Sequence, residues 1–199
     1  MKSAIKCAMP MNGPIKRCGW ASADPLYIKY HDTEWGVAVH DDIKLFEFLL
    51  LEGAQAGLSW LTILKRRENY RKAFDMFDPE KVASYDKQRI RSILSEGDII
   101  RNRLKVEAAV SNAQVFLRIK KEFGSFDSYA WGFVGHRTIR NSWESVDQVP
   151  AHSTESSAMS IDMRQRGFKF AGNTICYAYM QAMGMVNDHI ISCFRYVQL

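Results

Sequence analysis

Apolar side chains recur along this chain at helical rather than strand spacing. Between Asn102 and Phe123 they fall at Leu104, Val106, Ala109, Val110, Ala113, Phe116, Leu117 and Ile119, the three- and four-residue steps that fill one helix face. Asp41 and Asp42 stand before Leu45, Phe46, Phe48, Leu49 and Glu52 and can cap a helix there. A second helix is predicted from near Ser59 through Ile63, Leu64 and Tyr70 to about Phe74. Ser153-Thr154-Glu155 opens another, which ends before Gly167; after the turn Gly167 to Gly172 a further helix runs to about Met183. Asp78-Pro79 and Tyr85-Asp86 suggest short helices over 79–84 and 86–95, and Val186 to Cys193 is expected to close the chain as one more. Strand-like alternation is scarce, with Val146 to Val149 the weak exception. The expected fold class is all-α. Pro10, Asn12, Gly13 and Pro14 mark residues 1–16 as a loose, flexible extension. Residues 17–199 read as one helical domain.

Composition narrows the function classes without choosing one. A length of 199 residues allows a real core, and 47% apolar with 25% charged residues excludes wholesale disorder. The net charge of +5 permits a polyanionic partner but does not require one. Four cysteines are too few for a disulfide scaffold in a chain of this length, so a reducing location is expected. No apolar stretch reaches membrane-spanning length, and Met1 to Lys16 holds no run of signal-peptide length. A monomer of the cytoplasm, without a membrane partner, is the expectation.

Two pairs of metal-capable residues bracket the domain: Cys18 with His31, and His189 with Cys193. The second pair stands at i and i+4, which on a helix faces one way. Each pair alone also fits residues with unrelated tasks. Taken as one Cys2His2 set they suit tetrahedral zinc, in a closed site with a structural role that leaves no zinc-bound water for chemistry.

Trp20, Tyr27, Tyr30 and Trp35 crowd the stretch around His31, and Glu52 follows three consecutive leucines. A carboxylate on such an apolar face needs donors or a cation. Either these aromatics are core, or they and Trp60 form a pocket whose faces stack on a flat ligand while Glu52 accepts a hydrogen bond from its edge. Such faces favour a cationic ring, which is what an alkylated purine requires. Downstream, Arg164, Arg166 and Lys169 surround a Gly167 to Gly172 connection between helices. Amides at a helix start bind phosphate, and the pattern is similar to a degenerate helix-hairpin-helix element. Lys65-Arg66-Arg67 reads as a solvated helix face.

These stretches together resemble the constitutive 3-methyladenine DNA glycosylase I family, the Tag type of the helix-hairpin-helix glycosylases. The resemblance rests on Arg-Cys-Gly-Trp (17–20), Asp-Pro-Leu-Tyr-Ile-x-Tyr-His-Asp-x-Glu-Trp-Gly (24–36) and Leu-Glu-Gly-x-Gln-Ala-Gly-Leu-Ser-Trp (51–60). It continues in Lys-Arg-Arg-Glu-Asn-Tyr (65–70), Arg-Gly-Phe-Lys-Phe-x-Gly-x-Thr-Ile-Cys-Tyr (166–177) and Val-Asn-Asp-His (186–189). It spans nearly everything after residue 16; the arm 1–14 departs from the family's short start.

The resemblance implies one structural Zn2+ per chain on Cys18, His31, His189 and Cys193. It implies base recognition by Glu52 and Tyr30, stacking by Trp60, and a pocket completed by Trp20, Trp35 and Tyr27. Gly57 and Leu58 would enter the duplex where the base has left. Arg166, Gly167, Lys169, Gly172 and Thr174 would hold the DNA backbone. The implied activity is hydrolysis of the N-glycosidic bond of N3-methyladenine in double-stranded, alkylated DNA after base flipping, leaving an abasic site, with Glu52 as the catalytic group. No lysine stands where a Schiff-base nucleophile should, so a monofunctional enzyme is expected. Asp188 is the nearest candidate for an acid beyond the hairpin, or else it orients His189. The rivals are a non-catalytic zinc-stabilised nucleic-acid-binding domain, a bifunctional glycosylase/lyase and a zinc hydrolase.

Overall fold

The computed structural model describes residues 15–21 and 23–199. Cys7 and almost all of the expected N-terminal extension lie outside the described residues. Within them the chain is mostly helical, and its helix starts follow side-chain caps. Asp41 accepts from the Lys44 amide at the head of α2 (Asp42–Gln55) and Ser59 from Thr62 at the head of α3 (Trp60–Ala73). Asp78 caps α4 (Pro79–Ala83), Asp86 caps α5 (Lys87–Glu96), Asn102 caps α6 (Arg103–Phe123) and Ser153 caps α8 (Thr154–Arg166). These are the helices that the apolar spacing predicts, as is α9 (Asn173–Ala182). Two short ones escape it. α1 (Pro25–Thr33) starts on an Asp24 cap with proline in its first turn, and α7 (Phe126–Gly132) follows Gly124 and a Ser125 cap.

The core forms around α2. Every residue from Leu45 to Ala54 is buried, because α3, α6, α7 and α9 all touch this helix. A helix apolar on all sides belongs in such a position. Each fully buried large side chain, such as Leu51 or Phe46, contributes about 1.5–3 kcal/mol by leaving water.

Two sequence expectations are corrected. Val186 to Cys193 is not a helix: β2 (Val186–Asn187) pairs in parallel with β1 (Ile139–Arg140), and turns follow it. Gly184, at φ 69°, sits so close to the Val37–Ala38 backbone that a Cβ would lie 2.4 Å from Ala38 N, and this contact turns the chain toward β1. Val146 to Val149 is not a strand; Val146–Gln148 forms a single 3-10 turn on the surface, with no strand beside it to pair with.

Candidate active site

Three helices and two flanking tryptophans converge on one cavity of about 350 Å3. Asp24 starts α1 so that Tyr27 and Tyr30, three residues apart, share a face. Trp20 precedes this helix and Trp35 follows it, packed edge-on at 4.8 Å between ring centres, with Trp20 also 5.1 Å from Tyr27. Trp60, the first residue of α3, lies 5.5 Å from Tyr30. Glu52 projects from the last turns of α2 into the same cavity. All six side chains expected in the pocket line it.

Glu52 is 4% exposed, and its Oε2 makes no hydrogen bond with the described residues. Burial pushes its carboxyl up to about 8. The indole nitrogen of Trp60, also buried, has no partner among the described residues either. Burial, and then the neighbouring Glu52 charge, raises the Tyr30 phenol well above its ordinary value. Unpaired buried polar atoms are costly to the fold, and here two of them belong to residues lining one aromatic cavity.

Across the cavity stand Tyr177 and Gln181 of α9, together with Asp188. The Asp188 carboxylate accepts four hydrogen bonds: from Asn141 Nδ2 and Trp143 Nε1 on Oδ1, both 2.7 Å, and from the Tyr177 hydroxyl (2.6 Å) and Gln181 Nε2 (2.7 Å) on Oδ2. It does not orient His189. That imidazole turns away, its Nε2 meeting the Trp35 carbonyl at 3.1 Å.

Cys18, His31, His189 and Cys193 form a fully buried cluster whose ligand atoms all lie within 4.8 Å of one another. Cys18 Sγ is 3.5 Å from His189 Nδ1; Cys193 Sγ is 3.4 Å from the same atom and 3.5 Å from His31 Nε2. The far nitrogen of each ring is held: His31 Nδ1 lies 2.7 Å from Asp32, onto which Arg17 forks, and His189 Nε2 meets the Trp35 carbonyl. Ring orientation is thereby fixed with one nitrogen left toward the thiols. Cys193 is drawn far below the usual thiol range by its hydrogen bond with Cys18 and by both imidazoles, while that shared bond and burial push Cys18 up. The donor set fits a four-coordinate, borderline-soft cation. Cys18 also lines the aromatic cavity, so the two centres share a wall.

Beside the cavity, Ala56 (φ −44°, ψ 115°) and Gly57 (φ 81°) make a tight turn of the type that calls for glycine at its second central position. It presents Leu58 at 37% exposure. Lys105 reaches from α6 to donate to the carbonyls of Ala54 and Ala56, at 2.8 and 2.7 Å.

The Gly167 to Gly172 connection is held at both ends and in its middle. Gly167 (φ 104°) ends α8, Gly172 caps α9 without a side-chain bond, and Asn112 of α6 pins the Lys169 backbone by both its N–H and its carbonyl. Lys169 is exposed and Thr174 lines the cavity rim. Arg166 instead spends its guanidinium on Asp162 and Glu122. Arg67 departs from the solvated face expected of it, being buried between Glu47 and Glu34. Gln55, Tyr177, Gln181 and the 146–151 wall escaped the sequence reading, since only tertiary packing brings them to the pocket.

A half-enclosed cavity of indole and phenol faces around one acid that has no partner among the described residues has the shape and chemistry to take a flat heterocycle. The family model described as methyladenine glycosylase matches residues 20–196. The chain is 46% identical to DNA-3-methyladenine glycosylase 1 of Escherichia coli (strain K12), over 92% of this chain and 97% of that protein. A crystal structure of 3-methyladenine DNA glycosylase I (TAG) superposes with a TM-score of 0.88 at 47% identity, covering 90% of this chain and 98% of that one. A structure addressing 3-methyladenine recognition by the Staphylococcus aureus enzyme also gives 0.88, at 36% identity over 92% and 97%. The chain belongs to the methyladenine glycosylase family.

Proposed function

We propose that this protein excises N3-methyladenine from alkylated duplex DNA by hydrolysis and leaves an abasic site for base-excision repair. The observation that carries the reading is Glu52, buried without a cation among the faces of Tyr30, Trp60, Trp20, Trp35 and Tyr27. The relatives' names support the substrate.

The base must leave the stack before it can enter the cavity, at a cost of a few kcal/mol that is smaller for damaged bases. Leu58 on the Gly57 turn fills the gap as an apolar wedge. The exposed Lys169 and the free amides at the start of α9 after Gly172 take the backbone phosphates, in the manner of a helix-hairpin-helix element, with Thr174 at the rim. In the cavity the cationic purine meets aromatic faces. Glu52 accepts from the exocyclic amine, and a base with a carbonyl at that edge is rejected by the facing lone pairs. The cation also favours the ionised form of Glu52. The C1′–N9 bond breaks with its electron pair going to the base, which leaves neutral; water oxygen bonds to C1′ and releases a proton. Contacts that strengthen as this happens accelerate it. Among the described residues no lysine lines the cavity, and Lys105 is bound to two carbonyls, which supports a monofunctional enzyme.

Cys18, His31, His189 and Cys193 would hold one Zn2+ as a structural ion that joins the two ends of domain 17–199. A monomer of the cytoplasm completes the reading; no described helix is long and apolar enough to cross a membrane. The experiment is base release from methylated duplex DNA, analysed by chromatography. Free 3-methyladenine is expected from the wild type, and full activity in both Glu52→Gln and Trp60→Ala would refute the pocket.

A further inference from the structure

Arg67 does not line the base cavity, yet it touches every helix that supplies Tyr30, Glu52 and Trp60. It stands on α3. Its Nε donates to Glu47 Oε1 on α2 at 2.7 Å, and its Nη1 donates to Oε2 of Glu34, the C-cap of α1, at 2.8 Å. One planar guanidinium thus ties α1 and α2 to α3, a task for which its forked donors are suited. The guanidinium carbon also lies 4.8 Å over the Phe48 ring. Phe48 precedes Glu52 by one turn on the same face of α2. Its ring stacks on Tyr30 (6.3 Å, 17°) and leans on Trp60 (5.9 Å, 36°).

Tyr30 stands between two cavities. The base pocket lies on one side; on the other is a space of about 530 Å3 lined by Phe48 and Arg67. The other ion pair between α1 and α3 among the described residues, Lys65 to Asp24 at 3.0 Å, is partly exposed and weak. Glu47, by contrast, keeps Lys44 (3.2 Å) and Arg71 (2.9 Å) when Arg67 is removed. The buried acid stays paired, Glu34 keeps Lys44 of α2 at 3.7 Å, and the main loss is the strap from α1 to α3.

We propose that Arg67 is a positioning residue for base recognition: by strapping α1 and α2 to α3 and backing Phe48, it sets the Tyr30 ring against Glu52 and Trp60. The inference rests on the functional reading above. The test titrates free 3-methyladenine against the full chain by indole fluorescence, with affinity for duplex DNA bearing a stable abasic analogue and the melting temperature measured beside it. Arg67→Met is expected to weaken free-base binding by about tenfold, the scale of a lost charge-assisted hydrogen bond, with abasic-DNA affinity within about twofold of wild type. Arg67→Lys is expected to fall between, since a compact ammonium lacks the planar fork by which separate guanidinium nitrogens reach the two carboxylates. Glu34→Gln, on the half-exposed partner, should repeat the base-specific loss at smaller size and decides the matter if Arg67→Met does not fold. Unchanged base affinity in the folded variants, or base and DNA affinities that fall in step with the melting temperature, would overturn the inference. A wild-type protein that binds no 3-methyladenine would overturn the functional reading itself, and this one with it.

Discussion

Asp188 and His189 are consecutive in the chain but face two different centres. The Asp188 carboxylate lines the aromatic cavity under four hydrogen bonds, while the His189 imidazole joins Cys18 and Cys193 in the buried cluster. Cys18 lies in both. Anything that disorders the cluster therefore moves the wall against which the base would rest.

Metal removal should accordingly do more than lower stability. Chelation is expected to lower the melting temperature and to weaken binding of free 3-methyladenine, both restored by Zn2+. Cys18→Ser should lose the ion. Cys176→Ala should keep it, because Cys176 is buried in α9 outside the cluster. Metal analysis finding well below one ion per chain in protein purified without chelator would remove this account.

Glu52 gives a stability signature against pH. Its folded value is raised from 4.5 to about 8 by burial. Between those values the unfolded chain has lost a proton that the folded chain keeps, so the folded state binds more protons and stability falls as pH rises. Below about 4.5 the contribution is complete, and above about 8 it is gone. Urea unfolding across this window should show a decline on the order of 3–5 kcal/mol from this one group. Glu52→Gln should flatten it.

The same group predicts a rate profile. Binding a cationic purine favours ionised Glu52, so kcat/KM should climb toward pH 8 and level there. Glu52→Gln should lower excision roughly 10- to 100-fold, the cost of a hydrogen bond to a charged acceptor, and remove the climb. A mutant with the wild-type profile would mean that another acid governs the reaction.

Leu58 can be tested apart from the pocket. It is exposed on a turn anchored from behind by Lys105, so Leu58→Ala should change stability by less than about 0.5 kcal/mol. Excision from duplex DNA should fall while binding of the free base stays as it was. Equal loss in both assays would place Leu58 in the base site rather than the gap.

The absence of lysine from the cavity lining among the described residues predicts no strand cleavage coupled to base release. Borohydride should trap no protein–DNA adduct under conditions where excision is complete.

Much of this was readable before any coordinates, for a physical reason: caps and periodicity are local. Asp41, Ser59, Asn102 and Ser153 each sit where a helix begins. Locality also misled. His189 and Cys193 have helical spacing, yet turns after β2 bring them together, since pairing with Ile139 and Arg140 outweighs the pattern. Arg67 looked like a solvated cation because its partners, Glu34 and Glu47, come from other helices. The six side chains expected in the pocket are marked in the sequence by resemblance and aromatic crowding, and they line one cavity. Tyr177, Gln181 and Gln55 carried no local mark, since their role comes only from α9 lying across α2.

The cluster joins Cys18 to Cys193, and this has a consequence for biosynthesis. Trp20, Tyr27, Tyr30 and Trp35 leave the ribosome early, but the residues that lock their stretch in place are among the last translated. Contacts so distant in sequence form late. On the proposed reading, a nascent or prematurely terminated chain that lacks residue 193 would carry the cavity aromatics without the cluster that closes their stretch, and competence for repair would arrive only after synthesis has passed that cysteine.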